Sequence, residues 1–206
     1  MISIVDYGLG NILAFINMGK RIGVDITAAM TAADLASATK VILPGVGSFD
    51  HAMQLLDGSG MRTQLEALVL EKKVPVLGVC VGMQILAERS AEGNARGLGW
   101  IPGEVRALSS LLSGRNPTLP LPHMGWNDVC PVNGWKLCRR LEEQPRFYFL
   151  HSFYYQCADN AHIAATSEYG VEFPCAVRCG HIQGVQFHPE KSHHFGAGLI
   201  KNFAAS

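Results

Sequence analysis

Short β-rich apolar runs alternate with helical stretches through the first ninety or so residues, and no other feature restricts the possible fold as much. ISIVDY (2–7) reads as a strand ending at Gly8, with a helix expected from about Asn11 to Ile22. VDITAA (24–29) is a second strand, and TAADLASA (31–38) a capped helix, because Thr31 followed by Asp34 is a capping-box variant. KVILPGVG (40–47) reads as a buried strand running into a Gly/Pro turn. MRTQLEALVLEKK (61–73) carries helical apolar spacing at 61, 65, 68 and 69. VPVLGV (74–79) is another buried strand, with a helix expected from about Gly82 to Ser90. Such alternation predicts an α/β fold with a largely parallel sheet covered by helices on both faces.

The second half has a different texture. GEVRAL (103–108), WNDVC (126–130), RFYFLHSFYYQ (146–156), HIAATSEYG (162–170) and PCAVRCGHIQGVQFHP (174–189) read as successive strands and hairpins. A last helix is expected from about His193 to Ala204, and the Pro-rich NPTLPLPHMG (116–125) as a loop. With no repeat, low-complexity tract or linker, residues 1–206 are expected to form one domain. Lys plus Arg equals Asp plus Glu at 17 each, so charge makes no case for nucleic acid or an anionic membrane. No apolar run approaches the roughly 20 residues that span a bilayer. MISIVDYG lacks a basic signal-peptide n-region, so a cytoplasmic protein with six unpaired cysteines is expected.

The strongest chemical signal is Gly78-Val79-Cys80-Val81-Gly82, at a strand–helix junction. This is the cysteine form of a nucleophile elbow, in which a tight turn lifts the nucleophile above the sheet edge. Cys80 at a helix N-terminus would have its thiolate favoured, and the Val81 N–H would be one oxyanion donor. The bland alternative is a buried cysteine in a Gly-rich turn. Gln186-Phe187-His188-Pro189-Glu190 follows an apolar strand. His188 can exchange protons with Cys80 and a leaving amine, and Glu190, placed on the same face by extended spacing, can orient the imidazole. Pro44-Gly45-Val46-Gly47, at another strand end, could turn an N–H toward the oxyanion, or could be a simple turn.

DYGLGN (6–11), ILPGVGSFDHAM (42–53), GVCVGMQ (78–84), LPHMGWNDV (121–129), FYFLHSF (147–153) and GVQFHPEKS (184–192) lie along nearly the whole chain. Together they resemble the class I glutamine amidotransferases, and among these the glutaminase subunits of imidazole glycerol phosphate synthases. The resemblance implies a flavodoxin-like fold, a Cys80–His188–Glu190 triad and an oxyanion hole around Val46, Gly47 and Val81. It also implies substrate contacts from Gln84, Glu92, Ser152 and Phe153, and a partner surface that includes Tyr7, Asn11, Trp126, Tyr148 and Lys191. The elbow departs from the usual pattern in carrying Val81 where leucine is common, at a position where the backbone N–H matters.

Free ammonia in water is mostly protonated, so an enzyme of this kind keeps it in a dry passage to an acceptor. The resemblance supplies the partner: a (β/α)8-barrel cyclase subunit making imidazole glycerol phosphate and an aminoimidazole carboxamide ribotide in histidine biosynthesis. The tail HPEKSHHFGAGLIKNFA (188–204) also resembles members that serve a sugar-amidating partner in surface-polysaccharide synthesis. A stand-alone cysteine peptidase or γ-glutamyl hydrolase, and a non-enzymatic thiol scaffold, are the rivals from other classes. No cofactor is expected, since Gly8-Leu9-Gly10 is followed by Leu13 where a dinucleotide fingerprint needs glycine. Nor is a metal: neither His188, His193 and His194 nor Cys175, Cys179 and His181 has standard zinc spacing.

Overall fold

The computed structural model describes residues 1–113, 119–132, 134–142 and 144–206. Residues 116–118 of the Pro-rich stretch lie outside them.

Chain order begins with β1 (Ile2–Val5), α1 (Ile12–Ile22), β2 (Ile26–Ala29), α2 (Ala32–Leu35), β3 (Lys40–Gly45) and α3 (Phe49–Gly58). Next come α4 (Arg62–Glu66), widening into a π turn over Ala67–Glu71, then β4 (Val76–Cys80), α5 (Val81–Gln84), β5 (Arg89–Ser90) and β6 (Gly103–Ala107). The second half holds α6 (Leu108–Leu112), β7 (His123–Asp128), β8 (Cys130–Pro131), β9 (Arg146–His151), β10 (Phe153–Cys157), β11 (Ile163–Glu168), β12 (Glu172–Cys179), β13 (Ile182–Val185) and α7 (His193–Ala205).

The main sheet runs β2-β1-β3-β4-β13-β12-β11-β8. Its first five strands are parallel and the other pairings antiparallel. A parallel order 2-1-3-4-5 is the flavodoxin-like arrangement, whose ligands bind beyond the carboxyl ends of the strands. β1 and β4 are buried at every position, as strands covered on both faces must be. Two smaller sheets, β10-β6-β5 and β7-β9, flank that carboxyl edge.

Local chemistry explains most boundaries. Thr31 and Asp34 form the full reciprocal capping box on α2. Asn11 caps α1 by accepting from the Ala14 N–H at 3.3 Å, and Gly23 ends that helix in a left-handed conformation. No element is expected from the sequence between 48 and 60, yet Phe49–Gly58 is helical and buries Phe49, Ala52, Met53 and Leu56. That spacing is one apolar helix face.

Two expected elements differ. The helix from Gly82 to Ser90 stops after one turn, because the backbone of residues 85–88 pairs elsewhere. The Ile85 and Leu86 carbonyls accept from Leu98 and Trp100 at 2.8 and 2.9 Å, and the Glu88 N–H reaches Gly103 at 3.0 Å. The run 146–156 is two strands, since the chain leaves the β7 pairing at His151 and joins β6 from Phe153 onward. Ser152 is the hand-over point, its carbonyl accepting from the Leu108 N–H at 2.8 Å.

Candidate active site

Cys80 closes β4 with φ +54° and ψ −114°, a conformation that L-residues rarely adopt. Such strain persists only where the surroundings enforce it. Here the enforcing element is the crossing of α5 over β3 and β4. A Cβ on Gly78 would lie 2.6 Å from the Gly82 carbonyl oxygen, and one on Gly82 would be driven into the Leu43 carbonyl oxygen. Both glycines are therefore requirements of the elbow. Because α5 is a single turn, it offers its first N–H groups but not the summed dipole of a long helix.

His188 follows β13, whose residues pair in register with β4, so strand pairing brings the imidazole to the carboxyl edge where Cys80 sits. Its Nδ1 lies 2.8 Å from Glu190 Oε1, with both side chains almost wholly buried. The backbone between them is not extended as expected: Pro189–Lys191 is a 3-10 turn with Pro at its first position, which brings Glu190 back under the ring. Burial alone pushes the His188 pKa down. Hydrogen bonds to Cys80 and Glu190, with the charges of both, outweigh it and carry the pKa up to about 10. The second Glu190 oxygen, Oε2, is buried with no hydrogen-bond partner among the described residues, so the imidazolium is the counter-charge this carboxylate has.

A cavity of about 310 Å³ opens above the elbow. Val46, Gly47, Cys80, Val81, Gln84, Glu92, Ser152, Phe153 and His188 all line it, so the expected nucleophile, base, oxyanion and substrate positions meet in one space. Glu190 lies behind His188 rather than on the wall. Pro122, Leu150 and His151 also contribute, unannounced by the sequence. Gly47 has φ +85° and open space about it, and Val46 is exposed, while Gly45 is pressed on the elbow: a Cβ there would lie 2.5 Å from the Gly82 nitrogen. The PGVG segment is thus pinned at its base and free at its tip.

Glu92 has a structural task as well as its place on the wall. Its Oε2 accepts from the Phe49 N–H at 2.8 Å, capping α3, which lacks a side-chain cap from Ser48. Asp50 on the same helix accepts from the Asn94 and Ala95 N–H groups at 2.9 and 3.0 Å. The helix without a sequence expectation therefore anchors the loop that carries Glu92.

The residues expected at a partner surface divide. Trp126, Tyr148 and Lys191 are grouped, with Lys191 Nζ 5.6 Å from the Tyr148 ring and Trp126 stacked on His193 at 5.4 Å. Trp126 is 40% exposed and Met124, on the same strand, 64%. Asn11 is exposed but occupied with capping α1. Tyr7 is a correction: it is buried, with its hydroxyl donating to the Pro44 carbonyl at 2.7 Å. Burial, and secondarily the charge at Cys80, push its phenol well above the ordinary tyrosine range. Tyr7 offers a partner no side chain; it holds the base of the PGVG segment.

Sequence reasoning missed a polar chain that runs from half-buried Asn127 to the cavity wall at His151. Asn127 Nδ2 donates to the Glu168 carbonyl at 2.7 Å and lies 3.2 Å from His123 Nε2. His123 Nδ1 lies 2.9 Å from His151 Nε2, and His151 Nδ1 2.8 Å from the Phe153 carbonyl. A carbonyl at one end and an amide donor at the other fix both tautomers: each neutral ring carries its proton on Nδ1. Burial drives the pKa of His123 down to about 4 and that of His151 down to about 3. Ser192, also missed and fully buried, donates to the His188 carbonyl at 2.6 Å and accepts from the Tyr148 N–H at 3.0 Å. Strand alternation in LHSF and GVQFHP could have flagged His151 and Gln186 as lying on the working face.

The family model for class-I glutamine amidotransferases matches residues 3–206. The chain is 56% identical to imidazole glycerol phosphate synthase subunit HisH of Bdellovibrio bacteriovorus, over 99% of both chains. It is 50% identical to the HisH subunit of Leptospira interrogans over the full length of each. A crystal structure of a glutamine amidotransferase superposes with a TM-score of 0.75 at 18% identity, covering 100% of this chain and 99% of that one, which supports the fold. With strained Cys80, His188 and Glu190 assembled at one sheet edge, the chain belongs to the class I glutamine amidotransferase family, among the HisH subunits of imidazole glycerol phosphate synthases.

Proposed function

We propose that the chain hydrolyses the side-chain amide of glutamine through Cys80, His188 and Glu190, and passes the ammonia to a partner subunit. The supporting observation is the strained cysteine at the elbow, sharing one cavity with His188 while Glu190 holds the far side of the ring. In this reading the Cys80 thiolate attacks the carboxamide carbon and His188 gives its proton to the departing amine. The bond to nitrogen breaks, leaving a γ-glutamyl thioester and ammonia. Water then attacks the thioester, His188 takes its proton, and glutamate leaves with the thiolate regenerated. The Val81 N–H and the Val46–Gly47 backbone serve the oxyanion. Glu92 receives the α-ammonium, Ser152 and Phe153 the α-carboxylate by their backbone, and Gln84 steadies the substrate.

Residues 1–206 act as one cytoplasmic domain in this account. The partner is a (β/α)8-barrel cyclase that uses ammonia to make imidazole glycerol phosphate and an aminoimidazole carboxamide ribotide in histidine biosynthesis. It docks on the exposed side of β7 around Trp126, Tyr148 and Lys191. The HisH relatives favour this acceptor over a sugar-amidating one. Since the PGVG tip is free, isolated-chain glutaminase activity is expected to be low and to rise when the acceptor-loaded partner binds. Glutamate release by the isolated chain and by the reconstituted complex, with product analysis, tests this. Turnover by the lone chain as fast as in the complex would refute activation, and cleavage of γ-glutamyl peptides without any partner would favour a stand-alone hydrolase.

A further inference from the structure

We propose that Gln186 is a catalytic hydrogen-bond donor to the Cys80 sulfur, aimed by Gln84; its catalytic meaning rests on the glutaminase reading above. Gln186 lies just beyond β13 and two residues before His188, and both side chains reach the Cys80 sulfur. It is 0% exposed, so its carboxamide must find partners inside the protein. Its Nε2 lies 3.7 Å from Cys80 Sγ, and its Oε1 accepts from Gln84 Nε2 at 3.0 Å.

The polarity of these amides follows from the surrounding groups. Gln84 Nε2 also reaches the Phe153 carbonyl at 3.5 Å, and a carbonyl accepts only, so the Gln84 amide presents N–H on that side. The group facing Gln84 must then be the Gln186 oxygen, which leaves the Gln186 NH2 on the sulfur. The sulfur thus has His188 and a fixed neutral donor among its polar neighbours. A neutral N–H stabilises a thiolate and holds it in place without supplying a proton that could quench the nucleophile. Gln84, one turn after Cys80, serves both the cavity wall and this support.

The test reads sulfur reactivity in the isolated chain, with neither glutamine nor partner. Iodoacetamide alkylation of Cys80, in which the sulfur–carbon bond forms and iodide leaves, is followed on the Cys80 peptide by mass spectrometry across pH. Gln186→Met keeps length without the donor and is expected to slow alkylation at neutral pH by about fivefold, the worth of one modest hydrogen bond. Its profile should move to higher pH. Gln186→Glu keeps the shape and the Gln84 contact but sets a negative oxygen by the sulfur, and should slow it further. Gln84→Ala, which leaves the Gln186 donor in place but removes its aim along with the contact to the Phe153 carbonyl, should give a smaller loss. Wild-type rates and pH profiles in folded Gln186→Glu and Gln84→Ala proteins would reduce Gln186 to a packing amide. Alkylation that responds as expected, in a complex that does not hydrolyse glutamine, would instead sink the glutaminase reading and leave the contact standing.

Discussion

Mild acid should destabilise this protein well before its carboxylates titrate, because of the enclosed histidine pair. Each ring uses one nitrogen as an acceptor: His151 Nε2 faces the His123 N–H, and His123 Nε2 faces the Asn127 amide. A second proton on either ring would turn an acceptor into a donor facing a donor. Their folded pKa values are lowered, to about 3 for His151 and about 4 for His123, while in an unfolded chain both sit near 6.5. Between pH 6.5 and 4 the unfolded state therefore binds more protons, and stability falls as pH falls. At pH 5 His151 alone accounts for about 2 kcal/mol and His123 for up to about as much, a large share of a total of roughly 5–15 kcal/mol. His188 does not obscure this window. Its raised pKa contributes stability that is fully present below 6.5 and is lost as pH rises through about 10. Urea midpoints of wild type and a His123→Asn/His151→Gln double variant, measured from pH 6.5 to 5, read the effect. A flat wild-type curve, or an equal slope in the double variant, would refute the tautomer argument.

Three further outcomes follow from the same geometry. Glu190→Gln removes one of the two charges that sustain the imidazolium, and the complex should lose on the order of 1,000-fold in glutamine kcat while retaining ammonium-dependent synthesis. Gly82→Ala forces a methyl group into the Leu43 carbonyl; it should cost about 2 kcal/mol or more in urea unfolding and abolish Cys80 alkylation before it unfolds the chain. Trp126→Ala should weaken partner binding by about 2 kcal/mol in calorimetry, leaving the thermal midpoint of the isolated chain nearly unchanged, since the ring is exposed.

The parallel half of the fold was legible because its signals are local. Buried β-branched runs, the Thr31–Asp34 box and the glycines around Cys80 each dictate their own neighbourhood. The apolar face of Phe49–Gly58 was equally readable, and a search along 48–60 for i, i+3, i+4, i+7 spacing finds it. Residues 85–90 looked helical for a sound local reason but were claimed by backbone partners at 98–103, which no window on that segment contains. The grouping of Cys80, His188 and Glu190, and much of the cavity wall, were legible through motifs. The His123–His151 pair and the Gln84–Gln186 contact were not, because each joins residues 28 and 102 positions apart that meet only when the sheets pack. Tyr7 was misassigned for a related reason: an aromatic near a motif can serve a surface or a backbone carbonyl, and only the packing around Pro44 decides which.

The account depends most on the Cys80 sulfur meeting the carboxamide carbon of glutamine in that cavity. Incubating the complex with a glutamine analogue that bears an electrophile at the γ-carbonyl, then locating the adduct by peptide mass spectrometry, measures this directly. One equivalent of label on Cys80, blocked by excess glutamine and absent from a His188→Ala complex, is the predicted result. Label spread over Cys130 or Cys179, or a Cys80 that stays unmodified while glutamine is being hydrolysed, would contradict it.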